Sequence, residues 1–267
     1  MIKRGQLSNI LRFFRLIYLT DWIRYYIEKF KNKSNNNLFK ANNPNILLPP
    51  DYLLYESFQL SYEKYYFGGH DTANWLKDHF KEHITLKDKS ILDWGCGPGR
   101  VIRHMPEVIG NNCKFYGTDY NSSSISWCKE NLKEIEFNLN TLEATLPYED
   151  SSIDVIYGIS IFTHLSKDMH YAWYNELFRI LKPGGIMFLT THGNNYKAKL
   201  TDNEINDFDQ GKLIERGYVK EGHRTYTAFQ PPSFMKELFS NLEILKHLEI
   251  EPDGGGWLPQ DIWIVKK

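Results

Sequence analysis

The stretch Ile91-Leu92-Asp93-Trp94-Gly95-Cys96-Gly97-Pro98-Gly99-Arg100 decides the fold of this chain. Its apolar start predicts the end of a buried strand, an acid follows, and three glycines then stand at alternate positions before a helical pattern from Val101. Glycine has no Cβ and tolerates positive φ, so a ligand can approach the backbone of such a turn closely. The free N–H groups and partial positive charge of a helix N-terminus suit an anionic or hydrogen-bond-accepting ligand.

The spacing of the glycines separates two classes of nucleotide ligand. A dinucleotide fingerprint has the form G-x-G-x-x-G, but Arg100 occupies the position of its third glycine, which comes one residue early as Gly99. The acid at Asp93 is also foreign to that fingerprint. A second acid, Asp119, ends the next predicted strand, where a carboxylate can accept both hydroxyls of a ribose.

Written as D-x-G-x-G-x-G, the segment from Asp93 to Gly99 resembles the first motif of the class I S-adenosylmethionine (SAM)-dependent methyltransferases. Residues 146–156 and 176–185 resemble the segments that precede the fourth and fifth strands of that family. The resemblance implies a Rossmann-like methyltransferase fold of the α/β class. Its doubly wound, mostly parallel sheet has seven strands, a terminal hairpin makes the last strand antiparallel, and a helical extension precedes it.

The resemblance also implies a cofactor, SAM, and a role for individual residues. The backbone of the turn would contact the methionine part, one acid its amino group and the other the ribose. A further set would flank the adenine, and two more residues complete the predicted cofactor site. The turn residues are Gly95, Cys96 and Gly97, the acid at the amino group is Asp93, and the acid at the ribose is Asp119. The residues beside the adenine are Tyr120, Asn140, Thr141 and Leu142, and the two further residues are Gly99 and Ser160.

His164 and His192 are the predicted catalytic residues, because they follow the fourth and fifth strands and ligands of open α/β sheets bind beyond the carboxyl ends of strands. Ser160 is a further candidate on the acceptor side. A histidine suits the removal of a proton from a hydroxyl acceptor; the alternative for His164 is to orient the next helix. Methyl transfer from a sulfonium is a direct displacement that depends on placement, so it requires no metal and no covalent nucleophile.

Composition limits the partners. With a formal net charge of -1 the chain is no polyelectrolyte binder, so we expect a small-molecule or glycan acceptor and no nucleic acid. The leading hypothesis is methylation of a hydroxyl on a sugar or cell-surface glycan precursor, as in a bacterial subgroup that the chain resembles. The alternatives are a small metabolite or lipid as acceptor, a SAM-binding sensor without transfer, and a dehydrogenase that binds NAD. Unpaired cysteines without metal spacing suit a reducing, cytoplasmic location.

Residues 1–33 are rich in basic and apolar residues and predict an amphipathic helix. One predicted face carries Arg4, Ser8, Arg12 and Arg15, and the other carries Leu7, Ile10, Phe14 and Ile17. Such a helix either packs on the main domain over its cofactor site, or lies on an anionic membrane, such as the inner membrane surface, or on a partner. With an Asn-rich linker it forms residues 1–50, and residues 51–267 form the methyltransferase domain.

The remaining elements follow from periodicity and turn residues. Strands are predicted at 90–93, 113–119, 135–139, 153–159, 186–191, 242–250 and 261–265; helices at 56–67, 71–80, 98–105, 122–132, 171–181 and 231–240; and loops at 35–45 and 193–230.

Overall fold

A computed structural model of the chain describes residues 4–110, 112–217 and 219–267. Residues 1–3 of the predicted N-terminal helix, and the side chains of Arg4, Leu7 and Ser8 on its two predicted faces, lie outside what is described. The α-helices are α1 Arg4–Phe13, α2 Ile17–Asn42, α3 Asp51–Ser57, α4 Tyr62–Lys81, α5 Met105–Ile109, α6 Ser122–Asn131, α7 Lys167–Ile180, α8 Asp202–Asp209 and α9 Pro232–Leu238. Short 3-10 helices are Ile102–His104, Phe162–His164 and Asn194–Lys199.

The strands form the sheet that the glycine-rich stretch predicts. They are β1 Ser90–Trp94, β2 Lys114–Asp119, β3 Glu136–Leu139, β4 Ile153–Gly158, β5 Leu181–Thr191, β6 Ile214–Arg216, β7 Thr227–Phe229, β8 Glu243–Leu248 and β9 Asp261–Lys266. Seven of them form one sheet in the order β3-β2-β1-β4-β5-β9-β8, and β6 pairs with β7 separately. The pairs β1–β2, β2–β3 and β4–β5 are parallel, whereas β9 is antiparallel to both β5 and β8. Every residue of β4 is buried, as a parallel strand covered on both faces requires.

The chain divides into two compact units. The glycine-turn unit comprises residues 19–141 and contains β1, β2 and β3. The histidine unit comprises residues 1–18 and 142–267 and contains the other strands. Each unit is described separately below.

The Asn-rich stretch at 35–45, predicted to be a linker, is mostly helical, because α2 continues to Asn42. Asn36 is buried in the glycine-turn unit, where its side chain accepts from the Tyr62 N–H at 3.0 Å and donates to the Leu60 carbonyl at 3.4 Å. Phe39, also buried, packs edge-on against Tyr62 at 6.2 Å. These contacts outweigh the low intrinsic helix propensity of asparagine.

The predicted helix at 98–105 is wrong in its start and length. Gly99 adopts φ 76°, a left-handed conformation that a helix cannot contain, so only a 3-10 turn from Ile102 and the short α5 follow. Helix α7, in contrast, begins earlier than predicted, at Lys167, because Ser166 caps it by accepting from the Met169 N–H. The loop predicted at 193–230 is also wrong as a whole.

That segment of the histidine unit folds around its own small core. It contains a 3-10 helix, α8 and the β6–β7 hairpin. Thr201 and Glu204 form a reciprocal capping box at the start of α8, a signal that the sequence carried. The buried members of this core are Tyr196, Leu200, Phe208, Ile214 and Phe229.

Helix α1 buries Arg12, a residue of the face that was predicted to be polar. Arg12 is only 5% exposed, whereas Phe14 on the predicted apolar face is 62% exposed. The Arg12 guanidinium donates to the Arg216 carbonyl at 2.8 Å and to Thr227 Oγ1 at 3.3 Å. A buried guanidinium is tolerated when such acceptors satisfy its N–H groups. None of the helices in the described ranges is both long and apolar enough to cross a bilayer.

Candidate SAM site and histidine cluster

The turn after β1 has the backbone geometry that its glycines predict. Gly95, Gly97 and Gly99 adopt φ values of 79°, 51° and 76°, all in the left-handed region. The N–H groups of Gly95 and Cys96 both donate to the Thr118 carbonyl, at 2.8 and 3.0 Å. These bonds fix the turn against the end of β2. A side chain at any of the three glycine positions would be strained, and at Gly97 and Gly99 it would also crowd Ser57 and Leu132.

Asp119 closes the turn at the end of β2. Its Oδ2 accepts from the Gly97 N–H at 2.9 Å, and its Oδ1 accepts from the Asn121 N–H at 2.8 Å. Burial raises the pKa of the Asp119 carboxyl, and the N–H groups of Asn121, Gly97 and Tyr120 oppose that increase. An ionised carboxylate offers about four acceptor sites, so it retains capacity beyond these three bonds. The residue therefore fits a ribose with two hydroxyls, as SAM contains.

A carboxylate that the sequence did not single out lies beside Asp119. Asn121 Nδ2 donates to Glu56 Oε2 at 3.0 Å, and the charge of Glu56 contributes to the raised pKa of the Asp119 carboxyl. Glu56 lies in α3, and a Cβ placed on Gly97 would stand 3.1 Å from Ser57 Cβ in the same helix. Helix α3 therefore packs directly on the turn. No short-range pattern links Glu56 to the turn, because folding alone brings the two together.

Helix α4 also packs on the turn, through a glycine. A Cβ at Gly69 would overlap the carbonyl oxygen of Arg100. Tyr65 of α4 is 1% exposed, and its hydroxyl donates to the Pro98 carbonyl at 2.7 Å. Arg100 donates to Thr72 Oγ1 of α4 at 3.2 Å. The arginine and the tyrosine thus hold α4 against the turn.

Asp93 and Cys96 are both buried at the end of β1 and in the turn that follows. Burial raises the pKa of the Cys96 thiol well above its ordinary value, and the charges of Asp93 and Asp119 raise it further. The thiolate is therefore disfavoured, which argues against a nucleophilic cysteine. Contact of Asp93 with the amino group of SAM remains a prediction.

The residues predicted to border the adenine follow β3. Asn140 Oδ1 accepts from Thr118 Oγ1 at 2.7 Å, and Asn140 Nδ2 donates to the Thr141 carbonyl at 2.7 Å. The Asn140 side chain thus shapes the loop beside Tyr120 and Asp119, whose carbonyl accepts from the Asn140 N–H at 3.1 Å. Leu142 belongs to the histidine unit. Adenine contact by Tyr120, Asn140, Thr141 and Leu142 remains a prediction.

In the histidine unit, both predicted catalytic histidines are fixed in one tautomer. His164 Nδ1 lies 2.8 Å from the Tyr226 carbonyl oxygen, and His192 Nδ1 lies 3.0 Å from that of Ala228. A carbonyl only accepts, so each Nδ1 carries the proton and each Nε2 presents a lone pair. Burial lowers the pKa of both imidazoles, and the proximity of His164 lowers that of His192 further. Both rings are therefore neutral near pH 7, in the form that can accept a proton.

The segment 226–230 holds both rings. Alternate carbonyls of an extended segment point to the same side, so those of Tyr226 and Ala228 reach one histidine each. Gln230, two residues further along, acts through its side chain. Its Oε1 accepts from the His192 N–H and its Nε2 donates to the Phe162 carbonyl, both at 3.0 Å. Sequence reasoning missed Gln230, because it lies far along the chain in what was predicted to be a loop.

Ser160 lies in a hydrogen-bond network after β4. It adopts φ 67°, which is strained for a residue with a side chain and typical of functional turns. Its Oγ lies 2.9 Å from Thr163 Oγ1 and accepts from Gln260 Nε2 at 2.8 Å. Its N–H donates to Thr190 Oγ1 at 2.8 Å. Ser160 therefore belongs to the histidine unit and links the ends of β4 and β5; its contact with SAM remains a prediction.

Comparisons with known proteins agree with this geometry. A family model described as a methyltransferase domain matches residues 91–185. A tRNA N(3)-methylcytidine methyltransferase of Schizosaccharomyces pombe is 32% identical over 57% of this chain and 52% of its own length. "O-methyltransferase 3" of Dictyostelium discoideum is 26% identical over 62% of this chain and 39% of its own length. The chain thus spans about half the length, or less, of these curated relatives.

A solved structure of a SAM-dependent methyltransferase from Methanosarcina mazei has the same fold. The two structures superpose with a TM-score of 0.54 and are 22% identical, and the match covers 71% of this chain and 96% of the other. At this identity the likeness establishes the fold alone. Together with the strand order, it confirms the predicted seven-stranded architecture.

The prediction that nucleic acid is not a partner of this chain is wrong, because net charge alone is no ground for excluding nucleic acid. It rested on a net charge of -1, yet a relative with 32% identity is named for methylation of a tRNA base. Net charge describes non-specific attraction to phosphates and does not exclude recognition by a local surface.

The relatives named above do not show the bacterial glycan-associated subgroup. The match to the family model identifies residues 91–185 as a methyltransferase domain. The left-handed glycines after β1 and the seven-stranded sheet, which extends beyond those residues, are of the class I SAM-dependent type, whose cofactor is S-adenosylmethionine.

Proposed function

We propose that this protein transfers the methyl group of SAM to a hydroxyl oxygen, with His192 or His164 as the general base. The acceptor class that the sequence suggests is a sugar or glycan precursor. In the reaction the acceptor oxygen attacks the methyl carbon, the bond from that carbon to the sulfonium sulfur breaks, and the hydroxyl proton passes to an imidazole Nε2. S-adenosylhomocysteine is the other product.

The donor side of this proposal rests on the glycine turn. A ribose would meet the remaining acceptor capacity of Asp119, and the methionine part of SAM would lie along the left-handed backbone at Gly95 and Gly97. Displacement at a methyl group needs alignment more than acid–base chemistry, and alignment supplies a large part of the rate. A rigid turn fixed by the Thr118 carbonyl is suited to provide it.

The choice of a hydroxyl rests on one observation, the tautomer of the two histidines. A hydroxyl must lose a proton during methylation, whereas a ring nitrogen with a lone pair and no proton needs no base. Two neutral imidazoles with unprotonated Nε2 atoms suit the first reaction. Both follow the carboxyl ends of strands, the edge at which ligands of such sheets bind. A curated relative named as an O-methyltransferase supports the same chemistry.

A second candidate acceptor is a base of tRNA. The observation that favours it is the similarity to a tRNA N(3)-methylcytidine methyltransferase. The N3 atom of cytidine carries a lone pair and no proton, so the histidines would then act in recognition of the base and not as general bases. Methylation of a hydroxyl should therefore require the Nε2 atom of one histidine as a base, whereas methylation of a tRNA base should not.

The test is transfer of labelled methyl from SAM by the purified full chain to two panels, one of sugars and other hydroxyl compounds and one of tRNA. His192→Asn retains an N–H near the position of Nδ1 but removes Nε2. We expect it to lower kcat on a hydroxyl acceptor about 10²–10⁴-fold, as loss of a general base does, with unchanged SAM affinity. His164→Asn is compared with it to assign the base.

His70→Asn, on α4 of the glycine-turn unit, is the matched control and should leave kcat unchanged. Methylation of tRNA alone, with His192→Asn as active as the parent, would replace the hydroxyl proposal by the second candidate. SAM binding without turnover on either panel would instead indicate a sensor. Binding of NAD and not SAM would exclude the methyltransferase altogether.

A further inference from the structure

A group of metal-ligating side chains lies on the terminal hairpin of the histidine unit. His247 lies in β8, Glu249 follows that strand, and Asp261 begins β9. One ligand atom from each of the three lies within 4.8 Å of the others. His247 Nε2 is 2.8 Å from Asp261 Oδ2, and the imidazole stacks on Trp263 at 3.7 Å between centroids. The ring is thus held with Nε2 directed at the carboxylate.

Asp261 carries an unsatisfied atom. The residue is 0% exposed, and its Oδ1 has no hydrogen-bond partner in the part of the chain that the structure describes. A buried carboxylate oxygen without a partner is costly, and native proteins seldom retain one without a reason. The single bond to His247 accounts for Oδ2 only. An additional positive ligand would satisfy Oδ1.

The chain makes room for this carboxylate in a specific way. A Cβ at Gly193 would overlap all three atoms of the Asp261 carboxylate. Gly193 has φ -84°, outside the left-handed region that favours glycine. The requirement is steric, since only a residue without a side chain leaves the carboxylate its position against Nε2 of His247.

Glu249 is exposed, but it does not rotate freely. Asn194 Nδ2 donates to Glu249 Oε2 at 2.9 Å. Asn194 follows Gly193, so one short segment both accommodates the Asp261 carboxylate and orients the Glu249 carboxylate. One oxygen of Glu249 accepts from Asn194, which leaves the other for a ligand.

We propose that His247, Glu249 and Asp261 bind a divalent transition-metal ion of the zinc class. One imidazole nitrogen with carboxylate oxygens is a donor set that such ions accept, at metal–ligand distances of about 2.0–2.2 Å. Around an ion at those distances, His247 Nε2 and Asp261 Oδ2 move slightly apart from their 2.8 Å contact, and the Glu249 carboxylate, whose ligand atom lies within 4.8 Å of both residues, closes on the ion. The ion takes the place of the hydrogen bond between His247 Nε2 and Asp261 Oδ2, and the imidazole then carries its proton on Nδ1.

The site is separate from the proposed acceptor chemistry. Gln260, next to Asp261, bonds to Ser160 and Thr190, whereas Asp261 lies with His247 and Trp263. Adjacent residues of an extended segment point to opposite faces, so the metal group lies on the other face of β9 from the Ser160 network. The ion would join β8 to β9 and stabilise the hairpin without taking part in methyl transfer. This inference does not depend on the acceptor.

The experiment is titration of the purified full chain with Zn²⁺, after treatment with a chelator, followed by calorimetry and by thermal unfolding. We expect one saturable site and a rise in Tm on binding, because an ion that binds only the folded state stabilises it. Glu249→Gln keeps the buried His247–Asp261 pair intact and should weaken Zn²⁺ binding at least 10-fold. Glu251→Gln removes a nearby exposed carboxylate outside the group and serves as the control.

Equal Zn²⁺ affinity in the Glu249→Gln and Glu251→Gln variants would overturn the proposal, because binding would then occur elsewhere. Absence of a saturable site in the parent chain would do so as well. SAM affinity, measured in the same samples, should not change in either variant. A loss of SAM binding there would indicate a folding defect, and His247→Gln, which is half-buried, would then replace Glu249→Gln in the titration.

Discussion

The glycine-turn unit and the histidine unit prepare their chemistry in different ways. In the first, the backbone presents the groups: left-handed glycines after β1 and one carboxylate, Asp119, that the turn itself holds through the Gly97 N–H. In the second, side chains present them, and each is held by a segment distant in sequence, as His192 is by Ala228 and Gln230. A backbone site is thus encoded in about ten adjacent residues, whereas the side-chain cluster needs the whole unit to fold.

As proposed, the turn would bind SAM through main-chain atoms and would therefore tolerate changes elsewhere in the chain. The histidine cluster is held by segment 226–230, so a change in that segment would alter the cluster and, with it, the proposed acceptor.

If the histidine unit depends on distant side-chain pairs, breaking one should be costly. Glu204 and Arg216 are joined at 2.6 Å, with only 18% and 6% of their side chains exposed. Burial alone would raise the pKa of the Glu204 carboxyl, but bonds from Arg216 and the Thr201 N–H lower it to about 2. The unfolded value is near 4.5, so this stabilisation is complete above that pH and is lost as the pH falls towards 2.

We therefore expect Glu204→Gln to lower the free energy of unfolding by about 2–3 kcal/mol at pH 7, and by less at pH 3. Urea unfolding of the parent and the variant at both pH values measures the difference. Asp209→Gln, in the exposed salt bridge with Lys197, is the control and should change stability by less than about 1 kcal/mol. A Glu204 effect that does not shrink at pH 3 would contradict the assignment.

The glycine-turn unit relies on one side chain, and its removal should be felt in SAM binding. Asp119→Ala removes the two acceptors proposed for the ribose and leaves the Gly97 and Asn121 N–H groups without their partner. We expect SAM affinity to fall by about 1–3 kcal/mol, measured by calorimetry. Asp150→Ala, at an exposed carboxylate, is the control. Unchanged affinity in Asp119→Ala would exclude the ribose assignment.

Two adjacent glycines in α4 test whether the backbone approach is specific. A Cβ at Gly69 would overlap the Arg100 carbonyl, whereas one at Gly68 has nothing within 4 Å. Gly69→Ala should lower the free energy of unfolding by about 1–2 kcal/mol through this overlap. Gly68→Ala should raise it by up to about 1 kcal/mol, because alanine favours a helix. Variants of equal stability would show that α4 does not press on the turn.

The smallest effect is expected at the end of α1. Arg15 has φ 56°, and its N–H donates to the Arg12 carbonyl at 2.9 Å, the geometry of a helix end that favours glycine. Arg15→Gly should therefore stabilise the chain by less than about 1 kcal/mol in thermal unfolding, while Arg15→Ala should bring no gain. A loss on Arg15→Gly would mean that the Arg15 side chain itself contributes to stability.

Much of the fold, and the conformation of the turn proposed to bind SAM, could be predicted from local sequence. The glycine turn, Asp119 and the apolar strands are properties of short segments, because positive φ and strand burial are imposed by neighbouring residues. The errors lie where distant contacts decide. Asparagines at 35–42 are helical because Asn36 and Phe39 pack on α4, and segment 193–230 folds because Tyr196 and Phe229 share a core.

The sequence by itself determined the methyl donor, since the order of Asp93, the glycines and Asp119 is enough to specify a backbone site for SAM. Only the tertiary structure decided the rest: the burial of Arg12, the place of Glu56 beside Asp119, and the tautomers of His164 and His192. The physical reason is how far apart along the chain the interacting residues lie. Backbone conformation is set by adjacent residues, whereas the protonation and orientation of a buried side chain depend on partners that only folding brings within hydrogen-bond distance.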